Sequence, residues 1–304
     1  MAATTGATTT TSITEQIPAE TLHPRVGDWA RTPPVYMQTC GIMSLQGRSN
    51  VHRVIRWDSL DTPLAEASGK TQTDEFAATE QTSSESTLTA ATVGIRLAMA
   101  LEARLFAGTE DPYAAAVRNM VASLNKQIEE DAMSRITAAT NTTDHSGMDA
   151  TITRFMTGLA ALRANKGPRT RIAMSGNIAQ ISDLRLDLGS QTGGIYASQW
   201  GAVKAEQMMD GMAMGFQWNF ANVDFFESEN IPQFDANNWS GALVGLDSEP
   251  ANCGLLLGFW IEPTMVVPDG DNRAIRLQDD AVLFSIYAST LNRNDNVQEW
   301  VTGK

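Results

Sequence analysis

Residues 111–136, DPYAAAVRNMVASLNKQIEEDAMSRI, constrain this chain's fold more than any other stretch. Asp111 suits an N-cap, because its carboxylate accepts from the orphan N–H groups of a first helical turn. Pro112 follows at the helical position where a missing N–H costs nothing. Tyr113, Val117, Met120, Val121, Leu124, Ile128, Ala132 and Ile136 then recur at helical spacing, and the other side carries Arg118, Ser123, Lys126, Glu129 and Glu130. Lys126 and Glu130 are spaced for a weak i,i+4 pair. Unbroken, these turns make a rod of roughly 37 Å. Its core-facing stripe, centred on Val117, Met120, Leu124 and Ile128, needs a flat partner. The charged side, Glu129 and Glu130 included, is expected in solvent. By itself the rod is scaffold and holds no reactive constellation.

A chain of 304 residues can bury a sizeable core and is expected to fold as one elaborate domain or two. Its formal net charge of −13 argues against gripping nucleic acid through phosphates, which requires clustered Lys and Arg. Only five of the basic residues are Lys (Lys70, Lys126, Lys166, Lys204 and Lys304); the rest are Arg, which suits planar contacts between proteins. No apolar run approaches the ~18 residues of a membrane span, so no membrane partner is expected. The opening MAATTGATTTTSITEQ lacks the charged and apolar regions of a signal peptide, which predicts no export. Cys40 and Cys253 are too few for a disulfide framework and read as two buried free thiols.

Residues 1–22, rich in Thr and Ala, show no sustained period and read as an extended arm. Pro24, Pro33 and Pro34 exclude a long helix from residues 23–45, yet Trp29, Val35, Tyr36 and Met37 need a surface to lie on. Residues 48–60 alternate as a strand does. Residues 58–86 then carry seven carboxylates (Asp58, Asp61, Glu66, Asp74, Glu75, Glu80, Glu85) against the single cation Lys70. A structureless excursion of this length fits packing on a partner rather than on its own core.

The chain returns as a strand over residues 87–97, followed by a short helix around 99–106 and then the rod. Residues 140–147 read as a polar break. Asp149 is placed to cap a helix carrying Ile152, Phe155, Met156, Leu159 and Leu162. Residues 169–175 read as a strand, and Asn177 is placed to cap a helix with Ile178, Ile181, Leu184, Leu186 and Leu188. Further strands are expected at 219–226, 242–246, 255–260, 264–267 and 283–288, with a turn at 268–273 and a polar tail from residue 290.

Catalytic signatures fail one by one. Ser68-Gly69-Lys70-Thr71 imitates the end of a phosphate loop, but the motif's first Gly falls on Leu64. His23, His52 and His145 lie in separate segments and form no zinc pattern. Asp269-Gly270-Asp271-Asn272 lacks calcium-ligand spacing and reads as a turn. No catalytic residue, metal ligand or cofactor is assigned.

The order of parts carries more information than any motif. STLTAATVGIRLAMALEARLFAGTEDPYAAAV (86–117), FMTGLAALRANKGPRTRIAMSGNIAQISDLRLDLG (155–189), NVDFFESENIPQF (222–234) with GALVGLD (241–247), and AVLFSIYAS (281–289) succeed one another in one layout. This layout resembles the major capsid protein of tailed bacteriophages, the Hong Kong 97-type shell fold. The implied fold is α+β, in five parts. They are an N-terminal arm (1–45), an extension loop with flanking strands (46–97), a peripheral domain with the long spine helix (98–148), an axial domain (149–265), and a return to the peripheral domain with a C-terminal tail (266–304).

The resemblance implies a structural subunit, not an enzyme, that self-assembles as hexamers and pentamers into the icosahedral head of a virion, built in the host cytoplasm around double-stranded DNA. It implies contacts between subunits through the loop and arm, at Trp29, Tyr36, Trp57, Asp61, Glu66, Lys70, Glu75 and Phe76. Partners would be a separate scaffolding protein, because the arm before the fold is short, a portal protein and a decoration protein. Some members join subunits covalently through Lys and Asn with a Glu as base; Lys70 with Asn292, Asn294 or Asn296 and Glu299 are the residues here that fit that chemistry. An encapsulin-type nanocompartment shell and a soluble α/β enzyme are the alternatives.

Overall fold

The computed structural model of the chain describes residues 7–8, 34–57, 83–100, 112–165, 167–190, 216–266 and 278–303. In chain order these form β1 (Ala7–Thr8), the one-turn helix α1 (Tyr36–Thr39), β2 (Gly41–Ser44), β3 (Val51–Trp57), β4 (Ser83–Thr89) and β5 (Ala91–Ala100). The long helix α2 (Pro112–Ser134) tightens into a 3-10 turn at Arg135–Ala138. Then come β6 (Thr142–His145), α3 (Ile152–Ala164), β7 (Arg171–Gly176), α4 (Ile178–Ser190), β8 (Phe216–Phe220), β9 (Val223–Glu227), β10 (Gln233–Asp235), β11 (Asn238–Leu246), β12 (Leu255–Val266), β13 (Gln278–Leu291) and β14 (Val297–Gly303). The chain divides into two compact units, one comprising Met1–Arg31, Ala90–Ile128 and Phe259–Tyr287, the other Thr32–Thr89, Glu129–Gly258 and Ala288–Lys304.

The first unit is built on β5 and β13, antiparallel from Gln278↔Ala100 to Tyr287↔Ala91, with β12 on the far side of β13 and β1 parallel to β5. Arg96 donates to Asp280 at 2.9 Å along the diagonal of the β5–β13 ladder. Ser285 donates to the Ile261 carbonyl at 2.8 Å, and Phe259 stacks obliquely on Tyr287 at 6.1 Å.

The second unit holds the larger sheet, ordered β6-β14-β11-β7-β9-β8, with β10 also on β11. Pairing is antiparallel for β14–β11, β11–β7 and β9–β8, and parallel for β7–β9 and β6–β14. Phe155, Leu159 and Leu162 of α3 and Ile181 and Leu184 of α4 form one core with Met174, Phe225, Leu243 and Trp300 of the sheet. Phe155 is its hub, 5.0 Å from Phe225 and edge-on to Trp300 at 6.5 Å. Gly158 permits this contact, because a Cβ there would stand 3.2 Å from the Trp300 ring and 3.3 Å from Leu243.

Several expectations from sequence are corrected. The strand expected at 87–97 is two strands broken at Ala90, and the second runs through Met99 and Ala100, where a helix was expected. The strand expected at 219–226 is a hairpin turning at Ala221 and Asn222, both at positive φ (53° and 62°), as a two-residue type I′ loop requires. The strands expected at 255–260 and 264–267 are joined in one strand, β12 (Leu255–Val266), with Pro263 in its exposed end; residue 267 lies outside the described residues. The polar break at 140–147 contains β6. The cap of α3 is Thr151 rather than Asp149, and Asp187 of α4 takes the Ile152 N–H at 2.7 Å.

The largest correction is the polar tail, which becomes β14, buried along its length. Its polar side chains are matched one by one. Gln298 donates to Thr143 at 2.9 Å, Glu299 accepts from Thr142 at 2.8 Å and is hydrogen-bonded to Ser240, and Thr302 accepts from Gln180 at 2.7 Å. Satisfied in this way, polar residues cost little in an interior strand.

Candidate functional site

The β3–β4 ribbon presents two unlike faces. In the register Val51↔Thr89 to Trp57↔Ser83, Val54 and Leu88 point inward and are buried. Leu88 lies over Gly258, where a Cβ would stand 2.7 Å from Leu45 and 3.0 Å from Leu88. Ser86 adds a hydrogen bond to the Asn292 carbonyl at 3.3 Å. The outward face shows Val51 at 43% and Ile55 at 63% exposure, beside an Arg53–Glu85 pair at 3.7 Å that solvent screens. An isolated two-stranded ribbon is marginal in water. The buried Val54 and Leu88 fix this one to its unit, and the outer face of Val51 and Ile55 is left without a partner among the described residues.

Of the loop and arm residues named from sequence, Trp29, Asp61, Glu66, Lys70, Glu75 and Phe76 lie outside the described residues. Trp57 ends β3 opposite Ser83, with its side chain outside that description too. Tyr36 is 1% exposed, so its ring packs within its own chain.

Tyr36 belongs to a junction that the sequence did not disclose. Glu129, expected in solvent on the charged face of the rod, is 4% exposed. It accepts the Val35 N–H at 2.9 Å, at the head of α1, and is hydrogen-bonded to Ser228 Oγ. The reason is a broadening of the buried stripe along α2, from Met120, Leu124 and Ile128 to Ile128, Glu129, Ala132, Met133 and Ile136. Residues 129, 132, 133 and 136 share a helical face, a signal that the Met133-Ile136 pair carried in the sequence.

Burial raises the Glu129 pKa above the ordinary carboxyl value, against the opposing effect of its donors Ser228, Val35 and Asn230. Burial, with the nearby Glu129 carboxylate, pushes Tyr36 up to about 12; burial pushes Cys40 up to about 12 as well. Cys253 is raised by the same cause. Both cysteines are free and buried, as expected from sequence. A thiol kept protonated is a poor nucleophile. Both line an open cleft of about 380 Å³, together with Met37, Ile42, Arg171 and Leu246.

The asparagines named for a covalent link have distinct surroundings. Asn292 is buried and donates to the carbonyls of Ala251 (2.6 Å) and Cys253 (3.1 Å). Asn296 is buried and donates to those of Pro168 and Asn252, both at 2.7 Å. Asn294 alone is exposed, and its Oδ1 accepts the Thr140 N–H at 3.2 Å. Glu299 is buried between the hydroxyls of Thr142 and Ser240. On α2, Met120, Leu124 and Ile128 are buried and Val117 is half-buried.

Among the described residues no group of three metal-ligating side chains forms, and no helix is long and apolar enough to cross a membrane. No protein-family model and no curated protein matches the sequence. Solved structures do match. The capsid of cyanophage P-SCSP1u aligns with a TM-score of 0.62 at 11% identity, over 95% of this chain and 92% of its own. A Mycobacterium phage Bobi structure gives 0.61 at 13%, over 97% and 99%.

The chain has the Hong Kong 97-type capsid fold. The capsid of a native GTA particle shares it at 9% identity, with a TM-score of 0.61 over 90% and 91% of the two chains. Within this α+β fold α2 is the long helix. Identity this low means that the arrangement of elements, and not particular side chains, is what the relatives hold in common.

Proposed function

We propose that this chain is the major capsid protein of a tailed bacteriophage, and that its copies close into the icosahedral head shell around double-stranded DNA. The observation that carries this reading is the nearly end-to-end correspondence with the capsids of a cyanophage and a GTA particle and with a Mycobacterium phage structure. The work of such a subunit is assembly, not turnover, and no catalytic role is assigned to any residue.

The subunits group as hexamers and pentamers, through contacts that differ on the two sides of each copy and close into rings. The arm (1–45) and the extension loop (46–97) reach neighbouring copies, and the outward face of β3–β4 supports that role for the loop. Residues 98–148 and the return at 266–304 form the peripheral domain, and 149–265 the axial domain. A net charge of −13 suits a wall that encloses DNA without adhering to it. A separate scaffolding protein and a portal direct assembly in the host cytoplasm, and a decoration protein can dress the finished head.

Electron microscopy of the purified protein, alone and with its scaffold, is the test. Closed shells are the expected result, whereas a discrete monomer or dimer under every condition sinks the reading. Packaged DNA, rather than an enzyme cargo, then distinguishes a phage head from a nanocompartment.

A further inference from the structure

Glu129 is a buried carboxylate gathered from three places in the sequence. Its Oε2 takes the Val35 N–H at 2.9 Å, across 94 positions, and its Oε1 is bonded to Ser228 Oγ, across 99. Ser228 also accepts the Asn230 N–H at 3.0 Å and donates its own N–H to Gly176, so that side of the site is fixed. The groups bearing on Glu129 are hydrogen-bond donors and one like charge, Glu130 of the same helix, with no cation among the described residues. Tyr36 of α1 and Cys40, its C-cap, are near enough for the Glu129 charge to act on them. In the segment after β9, Glu229 stands exposed between Ser228 and Asn230.

Burial favours a neutral carboxyl here, against three donors that favour an ionised one. The neutral group still offers one oxygen to Val35 N–H, and its own O–H can turn to Ser228 Oγ, leaving no charge away from water. An ionised group accepts from the Val35 N–H, the Ser228 hydroxyl and the Asn230 side chain, but keeps a buried charge with no cation beside it among the described residues, which is costly. We propose that Glu129 is a proton-operated clasp: protonated, it fastens Val35 and α1 into their unit, and on ionisation it slackens its hold on them.

The sign follows from burial, which raises the Glu129 pKa above that of an unfolded carboxyl. The folded site therefore keeps a proton that the opened site has lost. The clasp's contribution is full below the ordinary carboxyl value and is lost as pH rises through the folded one. Tyr36 and Cys40, both held near 12, stay neutral throughout. The inference concerns the chain's own attachment at Val35 and stands apart from whether the chain builds a shell.

Hydrogen exchange followed by mass spectrometry between about pH 4 and 8 tests it, with rates corrected for intrinsic pH dependence and β11 as the internal standard. In the wild type, protection over residues 35–40 should fall as pH rises, by about tenfold for every pH unit separating the folded pKa from the ordinary carboxyl value. Glu129→Gln keeps an acceptor for Val35 and a donor for Ser228 without ever ionising, and should hold protection level across the range. Ser228→Ala removes the acceptor for the carboxyl proton, and should flatten the profile from the low-pH side. Wild-type protection that tracks β11 at every pH, or a Glu129→Gln profile matching the wild type, overturns the proposal.

Discussion

The side-chain amide of Asn296 donates to the Pro168 carbonyl at 2.7 Å, joining residues 128 positions apart. Its second hydrogen goes to Asn252 at the same distance, so one buried amide ties the turn before β14 to the segments before β7 and β12. Asn296→Ala takes the donor from two half-buried carbonyls, at no more than about 1–3 kcal/mol each. Denaturant unfolding should show a loss of about 2–4 kcal/mol, with Asn294→Ala, at an exposed position, near wild type. Equal stability of the two variants would show that the Asn296 bonds carry no net weight.

Trp300 is fully buried, edge-on to Phe155 and against Gly158. Trp300→Ala should cost about 3–5 kcal/mol, read as a fall in the denaturation midpoint. Truncation after Asn296 removes β14 from between β6 and β11 and should leave the second unit unable to fold, seen as aggregation or loss of near-ultraviolet circular dichroism. A soluble, cooperatively folding truncation would contradict the sheet order.

Gly258 lies where the ribbon meets its unit. A methyl there would stand 2.7 Å from Leu45 and 3.0 Å from Leu88, two buried side chains that hold β3–β4 in place. Gly258→Ala should destabilise by about 1–3 kcal/mol through overpacking. Hydrogen exchange should report the loss first over β3 and β4. Unchanged protection in the ribbon would mean that Leu45 and Leu88 shift aside without consequence.

These positions also show what the sequence could and could not disclose. The long helix was legible from its period, and Met120, Leu124 and Ile128 are buried as that period requires; the Asp111 cap lies outside the described residues. The α3–β7–α4 succession was legible from its periods, with the Asn177 cap, which accepts from the Ala179 N–H at 3.0 Å, but not the α3 cap, which is Thr151. What stayed hidden depended on pairing across long separations. Gln298, Glu299 and Thr302 look like tail residues until Thr143, Ser240 and Gln180 are brought beside them. Glu129 looks like a surface charge until Val35 and Ser228 arrive from elsewhere in the chain. Burial of a polar residue is decided by its partner, and periodicity carries no record of that partner.

The outer face of β3–β4 gives the sharpest separation between folding and assembly. Ile55 is 63% exposed and opposite Glu85 in the ladder, so replacing it leaves no cavity in its own chain. Ile55→Asp should change monomer stability by no more than about 0.5 kcal/mol. If that face docks on a neighbouring copy, the same substitution places an unpaired charge in an apolar contact, which a repeated interface multiplies around every ring. The expected result is normal circular dichroism and unfolding, with closed shells lost or sharply reduced in electron micrographs. Removing residues 62–84 should do the same more severely, since it takes away the excursion while Val54 and Leu88 can still anchor the ribbon. Normal shells from both variants would assign the contacts between copies to other surfaces and leave the apolar outer face without a role.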